Sequence, residues 1–109
     1  MTELEKTVKK LIEFRNERDW GQFHNSKDLA LAISIEASEL LELFLWNDNE
    51  DFNKEKLEDE LADIFSFSLL LAEKHNLNLS EIVIKKIEKN AKKYPVSKAK
   101  GTSKKYNEL

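Results

Sequence analysis

Four stretches of this chain repeat apolar side chains every three or four residues, and almost nothing interrupts them. Two glycines and one proline occur in 109 residues, well below average usage, so tight hairpins and long loops are scarce and helices are favoured. The first stretch, about Glu3 to Arg18, sets Leu4, Val8, Leu11, Ile12 and Phe14 along one helical face. Asp19-Trp20-Gly21 closes it, with Gly21 expected as the C-terminal cap. After the polar and aromatic loop 20–26, Ser26 or Asn25 is expected to cap a second helix that reaches about Trp46. That helix is the most apolar and is expected to be the most buried. Asn47 to Asp51 reads as a polar connector, and Asn53 as the cap of a third helix from about Lys54 to His75. Ser80 is expected to cap a fourth that runs to Tyr94, where Pro95 stops it.

Four helices with short connectors describe an all-α fold: a four-helix-bundle subunit over residues 1–95, then a basic tail, 96–109, with little to bury and expected to be mobile when left alone. The second and third helices are apolar on more than one face, and that surplus predicts a homo-oligomer. Cysteine is absent, which excludes a disulfide scaffold, a thiol nucleophile and a cysteine-ligated metal. No apolar run approaches the ~20 residues that span a bilayer. The opening Met-Thr-Glu-Leu-Glu-Lys lacks a basic-then-apolar leader. A cytoplasmic protein with no membrane partner is expected.

The net charge of −3 hides a division. Residues 85–109 carry nine lysines against Glu88 and Glu108, whereas residues 36–63 hold eleven carboxylates and only Lys54 and Lys56. An acidic centre argues against a nucleic-acid polymer as partner. A cation bridging that centre to an anionic ligand reverses the argument for small molecules.

Within the acidic centre, Glu36-Ala-Ser-Glu39 and Glu60-Leu-Ala-Asp63 stand apart. Residues three apart on a helix lie about 60° apart around its axis, so each pair projects two carboxylates from one face. Glu36 follows an apolar run ending at Ile35, and Asp63 precedes Ile64-Phe65, so these acids occupy faces their neighbours would bury. Isolated helical glutamates are usually solvated surface, and Glu42, Glu50, Glu55 and Glu58 are read that way. The four acids differ: no basic side chain stands three or four residues further on. Buried charges are normally paired or bound to metal. Four carboxylates without His or Cys form a hard-oxygen site suited to Mg2+, with Mn2+ as a substitute. Ferritin-like di-iron bundles need a Glu-x-x-His motif that is missing here.

Glu-x-x-Glu, twenty residues, then Glu-x-x-Asp resembles the signature of the MazG-like all-α nucleoside triphosphate pyrophosphohydrolases. Arg18-Asp-Trp-Gly-Gln-Phe-His24, Leu43-Phe-Leu-Trp46, Lys93-Tyr-Pro95 and Ser103-Lys-Lys-Tyr-Asn-Glu-Leu109 resemble its dCTP pyrophosphatase branch. The resemblance implies a magnesium-dependent conversion of dCTP or a modified dCTP to the monophosphate and pyrophosphate. It also implies an assembly of helical subunits, with a tetramer favoured over a dimer. It makes Glu36, Glu39, Glu60 and Asp63 the metal ligands, and sets Trp20, Gln22, Phe23, His24 and Trp46 around the nucleoside. Two positions depart from the vertebrate members of the branch: Phe67 replaces a Tyr and Leu11 a His, both at substrate contacts.

Trp20, Phe23, Trp46 and Phe67 offer flat faces for a base. Ordinary packing is the simpler reading of Phe67, although it lies one turn after Asp63. Lys86, Asn90 and Lys93 share one side of the fourth helix at spacings of four and three, and are candidates to meet a phosphate. The tail segment Ser103 to Tyr106 is a candidate to fold over the site. The same chemistry on dUTP or another non-standard nucleotide is the alternative enzyme. A non-catalytic acidic module that docks a basic partner is the alternative outside catalysis.

Overall fold

The structure, a computed structural model, describes residues 1–46 and 51–109. Every regular element among them is helical: α1 (Glu3–Glu17), a 3-10 turn (Trp20–Phe23), α2 (Ser26–Glu42), α3 (Lys54–Lys74), α4 (Leu79–Lys93), α5 (Val96–Ala99) and a 3-10 turn (Tyr106–Glu108). Most of the expected connector, residues 47–50 including Glu50, lies outside the described residues. Among the described residues five α-helices form rather than four, because Pro95 both ends α4 and starts α5. Its φ of −62° is already that of a helix entry, and its carbonyl accepts from the backbone N–H groups of Lys98 and Ala99.

The helix starts follow the capping chemistry of short polar side chains. Thr2 and Glu5 form a capping box on α1, each side chain bonding the other's backbone N–H. Asn25 caps α2 through the N–H of Asp28, and Asn53 caps α3 through that of Lys56. The cap of α4 is Asn78, which accepts from Glu81 N–H, and not Ser80. An Asn side chain accepting from the backbone N–H three residues on serves all three of these helices.

Two helix ends differ from expectation. Gly21 does not cap α1. Asp19 takes the left-handed conformation with φ +52°, a tolerance that Asp owes to its short polar side chain, and Gly21 lies inside the following 3-10 turn. α2 stops at Glu42 rather than near Trp46. Its last residues wind into a turn in which Phe44 N–H bonds Leu41 C=O. Trp46 ends left-handed at φ +67°, fully exposed.

The chain divides into two compact units, Met1–Asn76 and Leu77–Leu109. In the first, α2 packs along α3, and α1 packs against α3. Among the described residues, the buried side chains are Leu29 on α2 and Leu69, Leu70 and Ala72 on α3. The core therefore belongs mostly to the end of α3, not to α2. Ser26 Oγ meets His75 Nε2 at 2.8 Å across this end, so α2 and α3 run antiparallel. Leu29 lies seven residues before Glu36, and Leu70 seven after Asp63, which sets the core about 10 Å along the helices from the acids. Ile35, Leu41, Leu61 and Phe65 stay about half exposed or more. In the second unit, Tyr94 packs edge-to-face on Tyr106, and Lys93 Nζ lies 5.0 Å from the Tyr106 ring centroid.

No helix among the described residues is long and apolar enough to cross a membrane.

Candidate active site

Antiparallel packing of α2 on α3 brings the two acidic pairs together. Glu36, Glu60 and Asp63 each place a carboxylate oxygen within 4.8 Å of the others. Glu39, one turn after Glu36, is exposed but close enough to hydrogen-bond Glu36 and Glu60. Oε2 of Glu36 and Oε2 of Glu60 are buried with no hydrogen-bond partner among the described residues. Orphaned buried polar atoms are rare in native proteins. Here both belong to carboxylates, which makes them costlier still.

The electrostatics follow from this crowding. Burial, then hydrogen bonds to Glu60 and Glu39, then repulsion from Glu39 and Asp63 push the Glu36 carboxyl from 4.5 up to about 7. The Glu60 carboxyl is raised too, mainly by burial, against an opposing hydrogen bond from Glu36. A hard divalent cation resolves the same conflict without a proton. Glu36, Glu60 and Asp63 would hold such an ion through the oxygens that already lie within 4.8 Å of one another. The donor set and the orphaned oxygens fit the expected metal.

Asp63 also edges a cavity of about 550 Å3. Ser66, Phe67 and Leu70 continue its wall along α3, one helical turn at a time, and Leu11, Phe14 and Arg15 of α1 face them. Trp20 and His24, from the loop after α1, complete the lining. Trp20 is held by its own segment: its ring meets Phe14 edge-on at 5.7 Å, and the Arg18 guanidinium stacks 3.7 Å over Phe14. Phe67 is half-buried and lines the cavity rather than filling the core. His24 is half-buried, and its Nδ1 is buried without a partner among the described residues. Burial, then the nearby Arg15 charge, lower its pKa and favour the neutral ring.

Other expected contacts fall elsewhere. Gln22 folds back to donate to Asp19 C=O and Oδ2, and Phe23 and Trp46 are exposed. None of these three lines the cavity. Lys86, Asn90 and Lys93 lie on α4 in the second unit.

Arg15 and Ser66 line the cavity without having been anticipated. Ser66 had no signal beyond its place one turn after Asp63. Arg15 had one: it falls four residues after Leu11, on the apolar stripe of α1, where a charged side chain requires a partner or a ligand.

A cluster of hard oxygen ligands at the mouth of an apolar, aromatic-walled slot defines a class of site, one that joins a divalent cation to a flat organic ligand. The MazG-like family profile matches residues 31–109, and the chain belongs to that family. It is 36% identical over 105 residues to dCTP pyrophosphatase 1 of Bos taurus, and 35% identical to that of Homo sapiens. Each match covers 89% of this chain, which spans 62% of the length of these curated relatives. The crystal structure of a pyrophosphatase from Archaeoglobus fulgidus superposes with a TM-score of 0.82 at 38% identity, over 87% of this chain and 94% of that one.

Proposed function

We propose that this protein is a magnesium-dependent nucleoside triphosphate pyrophosphohydrolase that converts dCTP, or a modified dCTP, and water to dCMP and pyrophosphate in the cytoplasmic nucleotide pool. The observation that carries the reading is the pair of orphaned buried oxygens on Glu36 and Glu60 beside Asp63, opening on a slot walled by Trp20 and Phe67. The dCTP pyrophosphatase relatives support the substrate, and the Archaeoglobus pyrophosphatase supports the chemistry.

In this reading Glu36, Glu39, Glu60 and Asp63 hold the cation. A bound magnesium ion would supply positive charge against that of the triphosphate and would acidify the attacking water. Asp63 belongs to both the cluster and the cavity, and so aligns the phosphate chain with the slot. Trp20 and Phe67 take the base on their flat faces, excluding water. His24, neutral at physiological pH, offers an unpartnered ring nitrogen to the nucleoside. The bond between the α- and β-phosphates is cleaved, with water supplying the oxygen and protons that the two products need.

Assembly is part of the proposal. A homo-oligomer, a tetramer before a dimer, would cover the half-exposed Ile35, Leu41, Leu61 and Phe65 and give Phe23 and Trp46 a neighbour. Contact of Lys86, Asn90 and Lys93 with phosphate belongs to the same reading. A protein-docking role for the acids fits less well, because a partner's lysine cannot reach oxygens already sealed from solvent.

The test is pyrophosphate release from a panel of nucleoside triphosphates, with and without magnesium. Magnesium-dependent turnover of dCTP, lost in Glu36→Gln and Asp63→Asn, is expected. Turnover that persists in both variants would overturn the assigned centre.

A further inference from the structure

The end of the slot farthest from the acids is polar. Arg15 Nη1 lies 3.5 Å from Glu73 Oε2, joining α1 to the last turn of α3. The Arg15 side chain is 19% exposed and that of Glu73 40%, so the pair stands at the protein–solvent boundary. Arg15, His24 and Leu70 are shared between the main cavity and an adjoining one of about 270 Å3, on whose wall Glu73 lies. The separation is longer than the ~2.8 Å of a strong charge-assisted hydrogen bond, so the clasp is loose. Arg15 Nε donates to Asn16 Oδ1 at 3.1 Å, and Nη2 has no partner among the described residues. Gly21 stands beside this arginine, where an added Cβ would reach ordinary contact with its Nε at 3.5 Å. The result is a fork of N–H donors with free capacity, a carboxylate that only accepts, and the unpartnered His24 Nδ1, all at the end of an apolar slot.

Position along α3 says which part of a ligand reaches them. Glu73 follows Asp63 by ten residues, about 15 Å along the helix axis, with Phe67 and Leu70 between. A triphosphate held at Asp63 places its sugar and base along that interval and directs the far edge of the base to the polar end.

We infer that Arg15 and Glu73 together read the edge of the base, Arg15 donating to two adjacent acceptors and Glu73 accepting from an exocyclic amino group. Cytosine presents that edge: O2 and N3 accept, and the 4-amino group donates. Uracil and thymine present an N–H toward the guanidinium and a carbonyl toward the carboxylate, a mismatch at both positions. The inference rests on the proposed pyrophosphohydrolase reading and supplies its base specificity from residues outside the metal cluster.

Two variants and two assays test it. Loss of a bidentate arginine contact costs roughly 5- to 150-fold, so Arg15→Ala should lower kcat/KM for dCTP by about that factor through KM, with its magnesium dependence unchanged. Glu73→Gln turns an obligate acceptor into a group that can also donate, and should shift the dCTP-to-dUTP ratio of kcat/KM toward dUTP at least about tenfold. A merely structural clasp would lower stability without moving that ratio. A folded Glu73→Gln variant, checked by circular dichroism and thermal melting, with the wild-type ratio would overturn the inference. Deoxycytidine binding without magnesium, followed by NMR shifts, separates this from the parent reading. A wild type that hydrolyses no triphosphate but loses deoxycytidine binding on Arg15→Ala defeats the enzyme and keeps the base reader. A wild type that hydrolyses dCTP, with both variants unaltered in KM and ratio, does the reverse.

Discussion

The two ends of the slot handle charge in opposite ways. Near the start of α3, Glu36, Glu60 and Asp63 crowd like charges with no basic residue among them. Near its last turn, Arg15 and Glu73 set opposite charges side by side at 3.5 Å. The first arrangement is unfavourable by itself and becomes favourable when a cation arrives. The second is balanced before any ligand arrives, so it suits an uncharged but polar group such as a base. The difference teaches where to look for each kind of specificity: uncompensated charge selects the ionic part of a ligand, and compensated charge the neutral part.

The comparison is broken most directly at the acidic end. Glu36→Gln should cut pyrophosphohydrolase activity by about 10²- to 10³-fold, as expected for a group that holds transition-state charge in place. The same change should raise the melting temperature of the metal-free protein, because it removes repulsion. A variant that lost both activity and stability would show that the cluster is structural. Next in size, Trp20→Ala should raise KM for dCTP; loss of one stacked base contact is worth about 1–3 kcal/mol, or roughly 5- to 150-fold. Steady-state kinetics in saturating magnesium read this, and an unchanged KM would remove Trp20 from the nucleoside contacts.

Under the proposed function, protons and magnesium would compete for the same oxygens, which sharpens the contrast through pH. The Glu36 carboxyl stands at about 7 when folded, against an ordinary 4.5. Between those values the folded state holds a proton that the unfolded chain releases, so metal-free stability from this group falls as pH rises through that window. Melting curves in chelator should show a lower Tm at pH 8 than at pH 5. Added magnesium should raise Tm more at pH 8, and Glu36→Gln should flatten the trend. The smallest effect is a control: Glu58→Gln removes one exposed acid from α3, the helix that carries Glu60 and Asp63, and should leave turnover and magnesium half-saturation within about twofold, since such surface changes are worth within ~0.5 kcal/mol.

Much of the fold could be read from local chemistry. Asn25 and Asn53 announced their helices because a cap and its target N–H lie three residues apart. Pro95 announced the end of α4. Asp19 displaced Gly21 at the end of α1 because Asp also tolerates the left-handed region, so residue type alone does not settle the choice. The exposed Leu31, Ile35 and Leu41 of α2 show why apolar content overstates burial: which face is covered depends on neighbours far along the chain. The acidic cluster of Glu36, Glu60 and Asp63 was legible because each half is a short-range pattern. Arg15 and Glu73 were not legible as a pair, since they meet across 58 positions: the place of Arg15 on the apolar stripe of α1 called for a partner without naming it, and Glu73 looks like a solvated surface residue in its own helix.

That a single helix carries both Asp63 and Glu73 has a consequence for how this protein can change over evolution. Adding or deleting one residue between them would swing everything beyond it by about 100°. The distance between the two ends of the site is therefore a gauge that tolerates no insertions. New substrates of the same length are open to it by exchange of side chains; longer or shorter ones would require a different helix.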